Sequence, residues 1–348
     1  MKKLILALLL FTLAFSLSAL GIEEEKIENK TTTQFKDSLN RLVNIPESID
    51  YIAPSGNVAQ MALYAISPEK LAGWSSSLGT EAKRMFLSIV KDKPVFGTFY
   101  GKKSNLNKEA LMASNAEIVL DIGNIKGSAD AMAKDLDELS KTIAMPVIFL
   151  SGEIEEYPMV FEVLGTLTEN EEAAAKLKAF SEDALEYASK LKEEYSGKVS
   201  VYYSPSDDGL EAVEKGSSHS EIIDLVGADN VVPTTFSSSN GQVNLENLYK
   251  WDPDVIILSS KEAYDSVTTE SAWAPLKAVE NNRVYLMSAE PYPLIDMPTS
   301  TQRLLGIYYL GKVLFDDDID LISKTKEFYN LFYHYEITDE EAKRILNL

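Results

Sequence analysis

The sequence carries one pattern twice, as Glu109-Ala-Leu-Met-Ala-Ser-Asn-Ala-Glu117-Ile-Val-Leu120 and as Glu246-Asn-Leu-Tyr-Lys-Trp-Asp-Pro-Asp254-Val-Ile-Ile-Leu258. Each copy consists of a Glu, one residue, a Leu, five residues, an acidic residue and a short apolar run. Such a pattern predicts an amphipathic helix that leads into a buried strand. The repeat therefore predicts two lobes with a shared helix-to-strand unit, in which Glu109 and Glu246 hold matching positions. A chance match between two generic units of an α/β fold is the alternative.

Short apolar runs alternate with helix-like spacing on both sides of the repeat, which is typical of parallel sheets covered by helices. In the first half we predict strands over 49–53, 71–74, 118–122 and 147–150, and helices over 57–66, 81–90, 108–113 and 129–143. In the second half we predict strands over 199–203, 255–258 and 284–287, and helices over 220–226, 272–279 and 299–314. The fold class is therefore α/β in both halves.

The segment between the two halves, residues 169–195, predicts one continuous helix. It contains no Pro or Gly, it begins with an acidic turn, and Gly197 follows its end as a stop signal. A helix of about 27 residues spans roughly 40 Å, which is longer than a loop connection needs. Its apolar residues recur at steps of three and four: Leu177, Phe180, Ala184, Tyr187 and Leu191. We predict a rigid strut over 169–196 between an N-terminal lobe (34–168) and a C-terminal lobe (197–348); an ordinary surface helix is the alternative.

The composition is that of an acidic globular protein without cysteine. Among 348 residues, 54 Asp and Glu stand against 33 Lys and Arg, and the formal net charge is −21. Nucleic-acid and anionic-membrane surfaces need clustered Lys and Arg, so neither is expected as a partner. The absence of Cys excludes disulfides, thiolate zinc sites and iron–sulfur clusters, and it excludes a lipoprotein anchor.

Residues 1–21 have the pattern of a signal peptide. Two lysines precede an apolar run of about a dozen residues, and small residues follow it. We expect cleavage between Ser18 and Gly21, a flexible lead-in over 22–33, and a mature periplasmic protein. An uncleaved anchor is the alternative, because the apolar run is close to the short limit of a membrane span.

Catalytic motifs are incomplete. The run from Gly97 to Ser104 is one residue short of a phosphate loop, and no G-x-G-x-x-G follows the first strand. Gly216-Ser-Ser-His-Ser220 lacks the closing Gly of a nucleophile elbow, and a chain with only two His has few ways to build a Ser-His-Asp triad. We therefore predict that the protein is not an enzyme. An exported metal-dependent enzyme and a sensor or adhesive domain are the less favoured alternatives.

Several segments, taken in order, resemble one family. Residues 37–46, Asp-Ser-Leu-Asn-Arg-Leu-Val-Asn-Ile-Pro, are similar to D-x-x-G-R-x-V-x-x-P, with Asn40 where Gly is usual. Residues 61–73 resemble the helix and second strand of that family. Residues 298–310 resemble its P-S-x-x-R-L-L-G-x-x-W-L helix. Together with the Glu-containing repeats, these segments resemble the substrate-binding proteins of ABC importers for iron-siderophore, haem and cobalamin complexes.

The resemblance implies two Rossmann-like α/β lobes joined by a single long α-helix, with a ligand cleft between the lobes. It also implies that Glu109 and Glu246 dock onto Arg residues of a membrane permease, where surface charge pairs fix orientation. The alternative is that both are merely solvated helix residues. A monomer without a cofactor, whose ligand is a metal chelate, is expected.

Ligands of such folds lie beyond the carboxyl ends of the strands, so the loops there are predicted to contact the ligand. The predicted contacts are Ser55, Asn57, Trp74, Phe99, Tyr100 and Asn124 in the first lobe, and Tyr203, His219, Asn240, Glu290 and Tyr292 in the second. The placement of Phe99, Glu290 and Tyr292 follows from the resemblance. For the loop of His219, helix capping by Ser218 or Ser220 is the alternative.

The residue types rank the ligand classes without choosing one. A ferric siderophore-like chelate comes first, then haem or cobalamin, then a nickel or cobalt chelate. His219 and Tyr292 are candidates for direct metal ligation, and imidazole suits iron, nickel and cobalt alike.

Overall fold

A computed structural model describes residues 31–101, 104–234, 241–287 and 290–347. The expected signal peptide and most of the expected lead-in lie outside these residues. Within the described ranges, no helix has both the length and the apolar character that a membrane span requires.

The described chain opens with an antiparallel hairpin of β1 (Thr32–Lys36) and β2 (Leu42–Pro46). Asp37 holds the turn, because its carboxylate accepts the backbone N–H of Arg41 and pairs with the Arg41 guanidinium at 2.6 Å. Asn40 adopts φ 61°, the left-handed conformation that Gly adopts without strain. Thr32 and Thr33 pair with β2, so the last residues of the expected lead-in belong to a strand instead.

The N-terminal lobe is built on a parallel sheet with the order β3–β4–β5. Its elements are β3 (Ile52–Pro54), α1 (Asn57–Ile66), α2 (Thr80–Met85), α3 (Ser88–Lys91), α4 (Lys108–Met112), β4 (Ile118–Gly123), α5 (Ala129–Ile143), β5 (Val147–Ser151) and α6 (Tyr157–Thr168). Helices cover both faces of the sheet, which is why the central strand β4 is buried from Ile118 to Ile122.

The predicted strut is α7 (Glu171–Tyr195), a single helix of 25 residues. The side chain of Asn170 caps its first turn by accepting the N–H of Ala173. Four of the five residues in the predicted stripe are buried, and Tyr187, the fifth, donates its hydroxyl hydrogen to Asp317 at 2.8 Å. The helix packs along α6 through this apolar face.

The C-terminal lobe is built on a second parallel sheet with the order β7–β6–β8–β9. Its elements are β6 (Ser200–Ser204), α8 (Glu221–Leu225), β7 (Asp229–Asn230), α9 (Leu245–Trp251), β8 (Val255–Leu258), α10 (Lys261–Thr269), α11 (Lys277–Glu280), β9 (Val284–Leu286), α12 (Arg303–Phe315), α13 (Leu321–Tyr333) and α14 (Asp339–Leu346). The two sheets and the connecting α7 confirm the predicted fold class.

The helix α13 returns to the N-terminal lobe, although the sequence assigned it to the C-terminal lobe. It packs against α1 and α7. Phe332 lies edge-on to Phe161 of α6, and the Tyr64 hydroxyl of α1 donates to the Tyr333 carbonyl at 2.9 Å. This aromatic layer buries the inner face of α13 and ties the end of the chain to both lobes.

Several predicted elements differ from the structure, and the helix predicted over 299–314 begins only at Arg303. Residues 71–74 form isolated bridges rather than a strand, and helix 81–90 is broken because Phe86 and Leu87 are extended. Phe86 turns inward to stack on Tyr64 with ring centroids 4.2 Å apart, which explains the break. Residues 272–279 are helical only from Lys277.

Candidate functional site

A cavity of about 100 Å³ lies at the carboxyl edge of the N-terminal sheet, where the loop before α12 meets it. Its lining residues are Ser55, Gly56, Asn57, Val58, Tyr100, Asp121, Ile122, Gly123, Asn124, Lys126 and Thr299. Strands β3 and β4 are parallel neighbours, so the loops that follow them meet at one edge of the sheet. Thr299 brings the C-terminal lobe to the same cavity, which therefore lies between the lobes.

The N-terminus of α1 forms one wall of this cavity. Gly56 is its N-cap, and no side chain caps the helix there. The first backbone N–H groups of a helix lack intrahelical partners and carry partial positive charge. An added Cβ at Gly56 would meet no atom within 4 Å, so the helix end opens onto free space. Such a terminus is suited to hold an anion.

Asn57 adds a fixed amide to this wall. Its Oδ1 accepts hydrogen bonds from the hydroxyls of Ser76 at 2.8 Å and Ser75 at 3.2 Å. Gln60 holds Ser75 in turn, because its Oε1 accepts the Ser75 backbone N–H at 2.9 Å. Because the amide oxygen is engaged, Asn57 is oriented with its two N–H donors available.

Asp121 adds a carboxylate to the lining of the cavity. It lies within β4, is 6% exposed, and accepts a hydrogen bond from the Ser55 hydroxyl at Oδ1. Burial raises the pKa of Asp121 to about 6, while the Ser55 hydrogen bond and the charges of Lys126 and Arg41 oppose that rise. Lys126 is the one Lys or Arg among the described residues that line the cavity.

The C-terminal lobe contributes an imidazole close by. His219 Nδ1 lies 2.7 Å from Oδ1 of the buried Asp296. This hydrogen bond raises the pKa of His219 above its usual value, whereas burial and the positive charges of Arg303 and Lys126 lower it. His219 therefore lies near enough to Lys126 for the two charges to interact.

The loop of His219 is held by buried polar contacts. Ser220 donates its hydroxyl to the Glu214 carbonyl at 2.8 Å and makes no capping bond to α8, so the helix-capping alternative is wrong for this residue. Arg303 of α12 is 2% exposed; it pairs with Glu221 and donates to the Ser218 carbonyl at 3.2 Å. Arg303 is therefore a structural residue.

The structure brings four predicted contacts together on the cavity wall: Ser55, Asn57, Tyr100 and Asn124. Phe99 lies beside them, with its ring centroid 4.6 Å from that of Tyr100 in an edge-to-face arrangement. Asn240 lies outside the described residues.

Three other predicted contacts do not line this cavity, because their side chains pack against neighbouring residues. Trp74 is 1% exposed and donates its indole N–H to the Val90 carbonyl at 2.8 Å in the core. Tyr203 is fully buried, with its hydroxyl 3.1 Å from Ser259 Oγ. Tyr292 packs beside Phe86, and burial raises the pKa of Tyr292 to about 12.

Glu290 is likewise engaged away from the cavity wall. It pairs with Arg84 of α2 at 3.3 Å and with Arg344 of α14. These pairs link the loop of Glu290 to the N-terminal lobe, and its contact with a ligand stays a prediction.

The two docking candidates occupy equivalent positions. Glu109 and Glu246 are exposed, and each lies two residues after an asparagine N-cap, Asn107 or Asn244, whose side chain caps the helix. The later acidic residue of each repeat is equivalent as well. Glu117 accepts the backbone N–H of Asp50, and Asp254 accepts that of Ser200, so each ties its unit to the start of the neighbouring strand.

The cavity contains three polar residues that the sequence reasoning missed: Asp121, Lys126 and Thr299. A charged residue inside the apolar run 118–123 is the signal that was available for Asp121. The described residues contain no group of three or more His, Asp or Glu that could hold a metal ion.

Comparison with known proteins agrees with this geometry. Residues 101–291, more than half of the chain, match the family model described as periplasmic binding protein, and the chain belongs to that family. It is a substrate-binding protein of the ABC-importer class, and the resemblance seen in the sequence is confirmed. The family and its structural neighbours are solute-binding proteins, not enzymes, and such proteins work with a membrane permease complex.

Particular relatives share the fold over nearly their whole length. An ABC transporter solute-binding protein from Sulfurospirillum deleyianum has a TM-score of 0.81 and 27% identity, over 90% of this chain and 99% of that one. The molybdate-binding protein MolA of Haemophilus influenzae is 24% identical over 99% of both chains. Its molybdate-bound structure has a TM-score of 0.67 and 21% identity, over 88% of this chain and 99% of that one.

Proposed function

We propose that the protein captures a small tetrahedral oxyanion, with molybdate as the first candidate, and delivers it to an ABC-type permease. The observation that carries this proposal is the cavity of about 100 Å³ beside the uncapped N-terminus of α1. Pockets for drug-sized molecules measure roughly 300–1,000 Å³, so this cavity suits an ion of a few atoms.

The donors around the cavity fit an oxyanion. The first N–H groups of α1 and the amide of Asn57 provide neutral donors, and Lys126 adds a full positive charge. Charge-assisted hydrogen bonds of this kind are about twice as strong as neutral ones. The net charge of −21 does not oppose this arrangement, because binding depends on the local donors and salt screens distant charges.

The full-length similarity to MolA of Haemophilus influenzae, which is named for binding molybdate, supports the choice of ion. Molybdate is therefore the first probe to test.

A ferric chelate, which the sequence reasoning ranked first, is the second candidate. The aromatic pair Phe99 and Tyr100 at the cavity favours it, because aromatic faces suit flat organic ligands. The cavity volume opposes it, since a siderophore, haem, cobalamin or nickel chelate needs a wider cleft. The continuous α7 between the lobes limits such widening to small movements.

Delivery uses the matched carboxylates. In this proposal Glu109 and Glu246 pair with Arg residues of the permease, one per lobe, and fix the orientation of docking. The mature protein acts as a monomer in the periplasm after cleavage of the signal peptide.

Isothermal titration calorimetry of the mature protein tests the proposed cargo. The panel consists of molybdate, tungstate, sulfate, a ferric siderophore, haem, cobalamin and a nickel–histidine complex. We expect saturable binding of molybdate at one ion per protein. Binding of an organic chelate without binding of any oxyanion would replace the first candidate with the second.

A further inference from the structure

We propose that Asp121 shares one proton with the bound oxyanion, so that capture is coupled to proton uptake and favours anions of weak acids over sulfate. This inference rests on the proposed function, because it concerns the anion in the same cavity. It assigns Asp121 the role of a specificity-determining residue.

The position of the Asp121 carboxylate carries the argument. Its Oδ1 accepts the Ser55 hydroxyl, and its Oδ2 accepts no hydrogen bond from the described residues. Asp121 lines the cavity, although only 6% of the residue is exposed. In a space of about 100 Å³, an anion held by the end of α1 has this carboxylate as a neighbour.

Two anionic oxygens in contact repel each other unless a proton lies between them. Uptake of one proton from solvent converts this repulsion into an O–H···O hydrogen bond between Asp121 and the anion. The O–H bond that forms takes its proton from water or buffer, and no electrons move. Capture of a dianion together with one proton therefore adds one net negative charge to the site instead of two.

The surrounding charges are consistent with uptake on binding. Lys126 and Arg41 favour the ionised form of Asp121, and Arg41 is itself engaged with Asp37. Burial raises the pKa of Tyr100, and the charges of Asp121 and Asp135 raise it further, while Lys126 lowers the pKa of His219 through its charge. Because burial brings the pKa of Asp121 only to about 6, the carboxylate of the empty protein is mostly ionised at neutral pH. The shared proton must then arrive with the anion.

A shared proton also selects among anions of equal charge and shape. Molybdate holds a proton more readily than sulfate does, because sulfate is the conjugate base of a stronger acid. The hydrogen bond to Asp121 is therefore more favourable for molybdate. Sulfate holds a proton less readily, so the Asp121 carboxylate beside it stays ionised. Repulsion between the two like charges then disfavours the binding of sulfate.

The test compares the wild-type protein with Asp121→Asn by calorimetry of molybdate binding in HEPES and in Tris. The amide has the shape of the carboxylate and retains an oxygen for Ser55. We expect proton uptake to fall by about one per ion in the variant. Because the wild type must take up a proton to bind, the ratio of wild-type Kd to variant Kd should rise about tenfold for each pH unit above about pH 6.5. The rise should stop once the pH exceeds the pKa of Asp121 in the complex. The preference for molybdate over sulfate should shrink by about tenfold or more in Asp121→Asn, as one pKa unit of coupling predicts.

The control is Asp130→Asn, which removes an exposed carboxylate in the first turn of α5 and should change none of these values. Equal proton uptake in wild type and Asp121→Asn would overturn the inference while leaving molybdate capture intact. If Asp121→Asn does not fold, the wild type still decides, because binding of molybdate without proton uptake contradicts a shared proton. Failure of the wild type to bind any oxyanion would instead refute the proposed function, and the inference with it.

Discussion

His219 Nδ1 lies 2.7 Å from Oδ1 of Asp296, whose side chain is 3% exposed, while the imidazole remains 55% exposed. The hydrogen bond to Asp296 raises the pKa of His219, so the protonated ring persists to higher pH than in a free histidine. The positive charge is fully present below the usual pKa and is lost as the pH rises through the raised one. His219 is thus a pH-dependent cation beside Lys126.

We predict that His219→Gln weakens molybdate binding by about three- to tenfold at about pH 6 and has a smaller effect at about pH 8.5, because the wild-type ring loses its proton as the pH rises through its raised pKa. Titration calorimetry at both pH values measures this difference. His334→Gln is the matched control, because His334 bonds the Tyr64 carbonyl at 3.1 Å, within the aromatic layer of α13. An equal loss of affinity at both pH values would exclude the charge of His219 as the cause.

Lys126 supplies the permanent positive charge on the cavity wall. We predict that Lys126→Met weakens molybdate binding by about 10- to 100-fold, since hydrogen bonds to charged groups contribute about 1.5–3 kcal/mol. The same substitution at the exposed Lys134 of α5 should leave Kd unchanged. Wild-type affinity in Lys126→Met would place the anion away from this cavity.

Trp74 packs in the core of the N-terminal lobe, so its substitution should affect stability and not ligand binding. Its indole N–H donates to Val90, and its ring lies 5.8 Å from Tyr64 and 5.9 Å from Phe86. We predict that Trp74→Phe lowers the free energy of unfolding by about 1–3 kcal/mol, because a buried carbonyl loses its donor and a small void forms. Urea denaturation measures the loss. The Kd for molybdate should remain that of the wild type. A large change in Kd with unchanged stability would support the original prediction that Trp74 contacts the ligand.

Trp74 also illustrates how far the sequence predicts this structure. Strands 118–123, 147–151 and 255–258 were predicted to within one residue, because runs of apolar residues identify strands that are buried on both faces. Helices α1 and α5 were predicted without error, since Gly56 and Ser67-Pro68 bound the one, and Ser128 caps the other. Local sequence carries this information.

Side-chain direction at the ends of strands depends on tertiary packing, and there the sequence was less informative. Trp74 ends one predicted strand and Asn57 follows another, yet Trp74 turns into the core and Asn57 lines the cavity. Thr299 lines the same cavity as Asp121, although it lies about 180 positions later in the chain. A contact between such distant positions has no local signature in the sequence. Asp121 itself was assigned to an apolar strand, although a carboxylate in a buried run points to a specific role.

The equivalence of Glu109 and Glu246 leads to a prediction about transport. Each is exposed in the first turn of a short helix capped by asparagine. Replacement of both by Gln should abolish the stimulation of permease ATPase activity by the loaded protein, while each single substitution should reduce it partly. The Kd for molybdate should not change, because neither side chain lines the cavity.

A matched control removes two other exposed carboxylates, Glu172 and Glu186 of α7, which form ion pairs with lysines one turn away on the same helix. Glu172→Gln with Glu186→Gln lowers the net negative charge by the same amount, so it separates a specific contact from general electrostatic steering. Steering alone would slow docking equally in both double variants and would weaken with added salt. Loss of stimulation only in the Glu109 and Glu246 variant would establish that one carboxylate on each lobe recognises the permease. Full stimulation by that variant would contradict the docking role and leave both residues as solvated helix positions.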